Sequence, residues 1–258
     1  MKEDQLDRRT FIKFTLAAGV VTVVGMRIGG RTQASPAPDS DGQQWAMVID
    51  QDKCTGCGYC TLTCQAHNDV SPDIQWNRVI ISGQMGEEQV YLPRPCMHCD
   101  HAPCISVCPV KASYKRSDGI VMMDYDRCIG CRYCEVACPY GARAFNWSEF
   151  EGPNPAVPEW GNPEVPRRPR GVVEKCSFCY QRIDRGLALG LKPGVHPDAT
   201  PACVVVCPVQ ARQFGDLNDP DSEVSKTLAK QPNFRLREDM GNDPRVYYLP
   251  ARRHESAS

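Results

Sequence analysis

Apolar residues along this chain come in short runs, punctuated by cysteine, glycine and proline. The longest run, Phe14 to Met26, has 13 residues, too short to span a bilayer comfortably. Later runs are shorter still. Trp45–Asp50 and Ile120–Asp124 read as brief strands, and Ser113 to Met123 as a hairpin closed at Asp118 and Gly119. Short helical turns are predicted after Cys60, Cys104, Cys134 and Cys203, where apolar residues fill the gap to the next cysteine. A helix is predicted from Asp221 to Lys230, with Pro220 just before it, and a short strand at Val246–Leu249 that pairs back onto the body. Residues 147–170 hold six of the 22 prolines and read as an extended surface segment of polyproline character. The stretch between Cys179 and Cys203, rich in glycine and proline, reads as an insertion. Both segments are candidates for lying against a partner or for being solvated loops.

The first apolar run carries an address. Arg8 and Arg9 precede it in the string DRRTFIK (7–13). The pattern resembles a twin-arginine (Tat) export signal, with Thr32, Gln33 and Ala34 as a cleavage site. The expectation is a signal over 1–34 and an exported chain over 35–258, with an uncleaved membrane anchor as the alternative. No later apolar run reaches 18 residues, so no transmembrane helix is expected after the signal. The Tat route moves folded proteins, which suits a chain loaded with cofactor before export. The expected location is the periplasm.

Composition narrows the chemistry. The formal net charge of −1 over 258 residues gives no basic face for nucleic acid, whereas 16 cysteines are far above the usual share. Disulfides, structural zinc and iron–sulfur clusters all use cysteine at this density. Spacing separates them. Cys128, Cys131 and Cys134 lie at intervals of three, followed by Cys138 and Pro139. This is the bacterial iron–sulfur run, in which three thiolates converge on one cluster and the fourth reaches another. Disulfide scaffolds need no such triplet, and structural zinc sites use pairs. The other sets are Cys54, Cys57, Cys60 and Cys64; Cys96, Cys99, Cys104 and Cys108; and Cys176, Cys179, Cys203 and Cys207. All sixteen cysteines are used.

The sets repeat. DQDKCTGCGYC (50–60) matches DYDRCIGCRYC (124–134), and CISVCPVKA (104–112) matches CVVVCPVQA (203–211). The order is therefore A-B-A-B, an internal duplication. Gly56 and Gly130 occupy matching positions where a Cβ would crowd a cluster or where the turn needs a positive φ. Tyr59 and Tyr133 either shield clusters or simply pack. His98 and His101 fall inside the second set. One is placed to donate a hydrogen bond to cluster sulfur, but a solvent-facing role is the simpler expectation. Lys53 and Arg127 precede matching cysteines, either as cluster-stabilising charges or as ordinary surface. No C-x-x-C-H haem motif, P-loop or dinucleotide fingerprint is present, and no acid, base or nucleophile marks a substrate pocket. The expected role is an electron conduit without catalysis of its own.

These motifs, with DRCIGC (126–131), CPYGAR (138–143) and GDLNDP (215–220), resemble the ferredoxin-like electron-transfer subunits of complex iron–sulfur molybdoenzymes and related membrane complexes. The resemblance covers roughly residues 45–250. It implies an α+β, duplicated bacterial-ferredoxin fold with short strands, short helices and long loops. The inner ferredoxin unit would be 91–146, the outer unit 45–90 plus 171–216, and the tail 217–258. It further implies four [4Fe-4S] clusters. Their ligands would be Cys54, Cys57, Cys60 and Cys207; Cys64, Cys176, Cys179 and Cys203; Cys96, Cys99, Cys104 and Cys138; and Cys108, Cys128, Cys131 and Cys134. The partners implied are an NrfD-like polytopic membrane subunit and either a multihaem cytochrome c or a molybdopterin subunit. The chain would be membrane-associated through them, in sulfur metabolism.

Overall fold

A computed structural model describes residues 42–252; the export signal expected at 1–34 lies outside the described residues. Regular structure is sparse, as the short apolar runs require. The elements are β1 (Trp45–Asp50), α1 (Tyr59–His67), β2 (Arg78–Met85), β3 (Glu88–Arg94), α2 (Pro103–Ser106), β4 (Ser113–Lys115), β5 (Val121–Met123), α3 (Tyr133–Val136), β6 (Arg143–Phe145), β7 (Val173–Lys175), α4 (Tyr180–Ala188), α5 (Ala202–Val205), β8 (Arg212–Asp216), α6 (Glu223–Lys230) and β9 (Val246–Leu249). Among the described residues no helix is long and apolar enough to cross a membrane.

Four small sheets replace one large one. β1 lies between β8, to which it is antiparallel, and β9, to which it is parallel. β2–β3, β4–β5 and β6–β7 are two-stranded antiparallel ribbons. Ribbons of this size are marginal alone, so they depend on what they pack against. The main core is a mixture of apolar side chains and thiols: Met47, Ile49, Met97, Ile120, Phe178 and Ile183 pack in one cluster with Cys60, Cys64, Cys96, Cys99, Cys104, Cys134, Cys176 and Cys203. A second, cysteine-free cluster joins Ala46, Val48, Val224 and Leu249 on the other face of β1. Alternate β1 residues face the two clusters, as strand geometry dictates.

The helices at the cysteines form where expected, and they pack in pairs, α1 on α5 and α2 on α3. The C-terminal helix begins at Glu223, two residues later than its expected start, because the Ser222 hydroxyl caps it by accepting the Ser225 N–H at 3.1 Å. The proline-rich segment is a strap on the body. Asn154 donates to the Gln65 and Val70 carbonyls, and Arg167 holds Asp69 through two 2.9 Å bonds. Glu164 accepts from Arg182 at 2.6 Å and lies 3.0 Å from His67. The stretch after Cys179 is likewise no open loop, since it holds helix α4.

Candidate cluster-binding sites

Each cysteine set is shaped by backbone in the left-handed region. Gly56 and Gly130 have φ of 72° and 67°, and Arg132, His98, Phe178 and Cys179 share that region at 62°, 45°, 54° and 53°. Alternating right- and left-handed residues turn successive N–H groups inward, a nest suited to anionic sulfur. At Gly56 a Cβ would strike the Tyr91 ring, and at Gly130 the Gly171 carbonyl oxygen. Crowding there comes from the protein's own atoms.

The C-P turns make a second recurring device. After Cys108, Cys138 and Cys207 the chain turns back so that the N–H of Ala112, Ala142 and Ala211 donates to the Sγ four residues earlier, at 3.2, 3.5 and 3.3 Å. Proline supplies the fixed φ of the turn, and a residue of positive φ follows: Lys111, Gly141 or Gln210. Donors of this kind favour the charged form of sulfur. At Cys108 burial pushes the thiol up, but the N–H groups of Ser113, Ala112 and Val110 outweigh it and bring it below its ordinary value.

The sixteen thiols, none of them in a disulfide, collect in four places. Cys54, Cys57, Cys60 and Cys207 line one small cavity. Cys108, Cys128, Cys131 and Cys134 line another. Cys64 has Cys176, Cys179 and Cys203 as electrostatic neighbours, and Cys99 has Cys96, Cys104 and Cys138. The four places stand in a row. Cys60 neighbours Cys203, Cys96 neighbours Cys176, and Cys104 neighbours Cys134. The outer two reach the surface, where Cys57 and Cys131 are exposed, while every thiol of the Cys64 group is buried.

Comparison with known proteins agrees with this chemistry. Residues 87–151 match the 4Fe-4S dicluster domain family and residues 45–66 a 4Fe-4S binding domain. The iron–sulfur subunit of a putative dimethyl sulfoxide reductase from Halobacterium salinarum is 46% identical over 80% of this chain and 78% of its own. The Hdr-like menaquinol oxidoreductase iron–sulfur subunit 1 of Archaeoglobus fulgidus is 38% identical over 94% of this chain and 97% of its own. The iron–sulfur cluster-binding subunit of the menaquinone reductase of Nitratidesulfovibrio vulgaris is 43% identical over 81% and 89%. The chain belongs to this family of iron–sulfur subunits. It is a ferredoxin-like protein with 4Fe-4S binding domains.

Whether the residues of this family member fit such a cofactor can be tested on their charges. Arg143, Lys175 and Arg212 are 2%, 1% and 4% exposed, and among the described residues none is paired with a carboxylate. Their partners are sulfur and neutral oxygen. Arg143 donates to Cys104 Sγ at 3.1 Å and Met123 Sδ at 3.5 Å. Arg212 donates to Cys60 Sγ at 3.5 Å, Cys203 Sγ at 3.7 Å and Asn77 Oδ1 at 2.8 Å. Lys175 donates to the Val121 and Cys176 carbonyls. Buried cations without counterions are costly. Protein alone keeps the Cys64, Cys99 and Cys176 thiols protonated, because burial first and neighbouring thiols second push Cys176 up to about 12 and raise Cys64 and Cys99 as well. Metal-bound sulfur is deprotonated outright, and it then supplies the missing negative charge beside each cation. The donor set fits iron–sulfur clusters.

The histidines divide. His101 faces solvent, 3.4 Å from Asp243. The solvent-facing expectation fails for His98, which is fully buried. Its positive φ turns the ring inward to stack on Phe178 at 3.7 Å, and Nδ1 accepts the Val121 N–H at 3.1 Å. That bond places the proton of the neutral ring on Nε2. Lys53 and Arg127 are half or more exposed and lie 4.0 Å from Asp50 and Asp124, three residues back. Tyr59 lines the first cavity and packs on Trp160 at 4.7 Å, whereas Tyr133 is 63% exposed. Arg143, Arg212 and Lys175 carry no role in the sequence reading. The signal for the two arginines was the string C-P-x-x-A-R, which begins at both Cys138 and Cys207.

Proposed function

We propose that the chain is a non-catalytic electron-transfer subunit holding four [4Fe-4S] clusters in a duplicated ferredoxin arrangement. The ligand groups are Cys54, Cys57, Cys60 and Cys207; Cys64, Cys176, Cys179 and Cys203; Cys96, Cys99, Cys104 and Cys138; and Cys108, Cys128, Cys131 and Cys134. The observation that carries this reading is the row of four thiol groups with exposed ends and a buried middle. Such a row suits one-electron carriers that hand electrons from one surface to another. The protein's own residues fix the thiols through left-handed loops and C-P turns, exclude water from the middle groups, and place a cation at each junction.

The chain is exported folded by the twin-arginine route to the periplasm and attached to the membrane through partners. Its reading within the family is that of DsrO, the periplasmic iron–sulfur subunit of the sulfite-reductase-linked DsrMKJOP complex. The string VVEKCSFC (172–179) supports it. So does the nearly end-to-end match to a menaquinol oxidoreductase subunit. The partners are then an NrfD-like quinone-interacting membrane subunit and a multihaem cytochrome c. The 46% identity to a dimethyl sulfoxide reductase subunit favours a second reading, with a molybdopterin subunit as partner.

Purification of the native complex under anaerobic conditions tests both levels. The expected content is about 16 iron and 16 sulfide per chain. A colourless protein, or one holding only zinc, overturns the cluster reading. A membrane subunit and multihaem cytochrome in the same preparation support the first partner set. A molybdopterin subunit in their place selects the second.

A further inference from the structure

Two of the buried cations occupy corresponding places. Arg143 and Arg212 are each the fifth residue after a cysteine that opens a C-P turn, Cys138 or Cys207, and each begins the next strand, β6 or β8. Each therefore points back across its own turn. Arg212 donates to Cys60 and Cys203. Arg143 donates to Cys104 and has Cys134 and, more weakly, Cys96 as further thiol neighbours. Cys60, Cys203, Cys104 and Cys134 are the third members of their sets. They sit on α1, α5, α2 and α3, the helices that pack in two pairs. One guanidinium thus stands in the seam of each helix pair. The third C-P turn, after Cys108, has Ser113 at the corresponding place, and its hydroxyl turns to Met123 Sδ at 3.3 Å. Each pair holds a single arginine.

We propose that Arg143 and Arg212 are redox-tuning residues, each shared by two clusters and holding both at a higher potential. The inference rests on the ligand grouping proposed above. Under it, Cys60 and Cys203 serve different clusters, as do Cys104 and Cys134. Net charge and hydrogen bonds to sulfur set the potentials of such centres. An arginine stays charged at all working pH values, and its planar fork presents N–H groups in two directions. Out of water its field is weakly screened. An electron arriving on either cluster meets the same fixed positive charge, and electrons on both repel each other less. Each couple still takes up and releases one electron.

The test is a potentiometric titration, with dithionite as reductant and paramagnetic resonance as readout, on the anaerobic complex. It carries Arg143→Gln, Arg143→Lys, Arg212→Gln or Arg212→Lys. The expected result for Arg143→Gln is unchanged iron and sulfide content and a downward shift of two of the four couples. The shift should be at least tenfold in equilibrium constant, about 59 mV for a one-electron couple. Arg212→Gln should move the other two. Each lysine variant should recover part of the shift, because it keeps the charge and loses the fork. Unchanged couples at full cluster content overturn the proposal, as does an equal shift of all four. Loss of clusters in both the glutamine and lysine variants also overturns it, because the arginine is then a clamp on the fold. Failure of the four-cluster reading itself shows separately, as a deficit of iron and sulfide in the unsubstituted protein.

Discussion

At the residue scale, matching positions of the repeat do unequal work. Gly56 and Gly130 share a positive φ, and alanine at either costs about 1–2 kcal/mol in the left-handed region. Their neighbours differ. The Tyr91 ring beside Gly56 belongs to a partly exposed side chain that can swing away, whereas the Gly171 carbonyl beside Gly130 is backbone. Gly130→Ala should therefore be the more damaging substitution, losing iron and lowering the melting temperature by more than Gly56→Ala does. Iron content and thermal unfolding of the two variants decide it, and equal effects would refute the argument from neighbours. The same contrast separates His98 from His101. Both sit near the same cysteines, but only the backbone turn at His98 sends its ring inward. Composition carries no trace of that, so the sequence left the two alike.

At the element scale, what was legible depended on local pattern. β1 and β9 have their expected bounds, β5 lies within the expected 120–124, and the four short helices lie beside the cysteines that position them. Strands β6, β7 and β8, the β2–β3 hairpin and helix α4 were not legible. The β2–β3 hairpin follows no cysteine motif, and its register shifts between Ile81 and Gly83, which breaks the alternation of the strand. Helix α4 was masked by its glycines. Gly186 lies in it because a Cβ there would strike Ala199, and Gly190 closes its end at φ 70°. The segment over 147–170 is the surface stretch expected, but its anchors to the body were not legible, because they are distant polar partners that no local pattern reveals. Burial acts to raise the Asp69 carboxyl, but the bonds from Arg167 and Asn154 outweigh it and hold it below its ordinary value. A depressed carboxyl contributes stability above its unfolded pKa and loses it as pH falls through the folded one. Asp69→Asn should thus loosen the strap by about 1.5–3 kcal/mol at neutral pH. Limited proteolysis within 147–170 should be faster in the variant, by a factor constant from about pH 5 to about pH 8. A ratio that changes across that window would show that another group sets the clamp.

At the scale of the whole molecule, the row of thiol groups has an unequal relation to solvent. Cys57 and Cys131, at opposite ends of the row, are exposed, while Cys64, Cys176, Cys179 and Cys203 are buried, as are Cys96, Cys99 and Cys104. The main core is built on the buried thiols, with Met47, Phe178 and Ile183 among them. Removing iron from the middle would leave buried cations without counterions and protonated thiols in their place, so it should unfold this core. Removing iron from the ends should disturb the core less, because of those thiols only Cys60 and Cys134 are buried in it and the others lie nearer the surface. Metal loss and unfolding are then coupled mainly for the middle groups. Under mild oxidation with a chelator present, iron should leave in two phases. About half should leave quickly with the secondary structure unchanged, and the rest slowly and together with the far-ultraviolet circular dichroism. A single phase, with dichroism lost from the first iron released, would mean that the ends support the core as much as the middle does. The cysteine-free cluster of Ala46, Val48, Val224 and Leu249 offers no refuge in the second phase. Burying each such side chain contributes at most about 1.5–3 kcal/mol, too little to hold β1, β8 and β9 together once the opposite face of β1 has lost its packing.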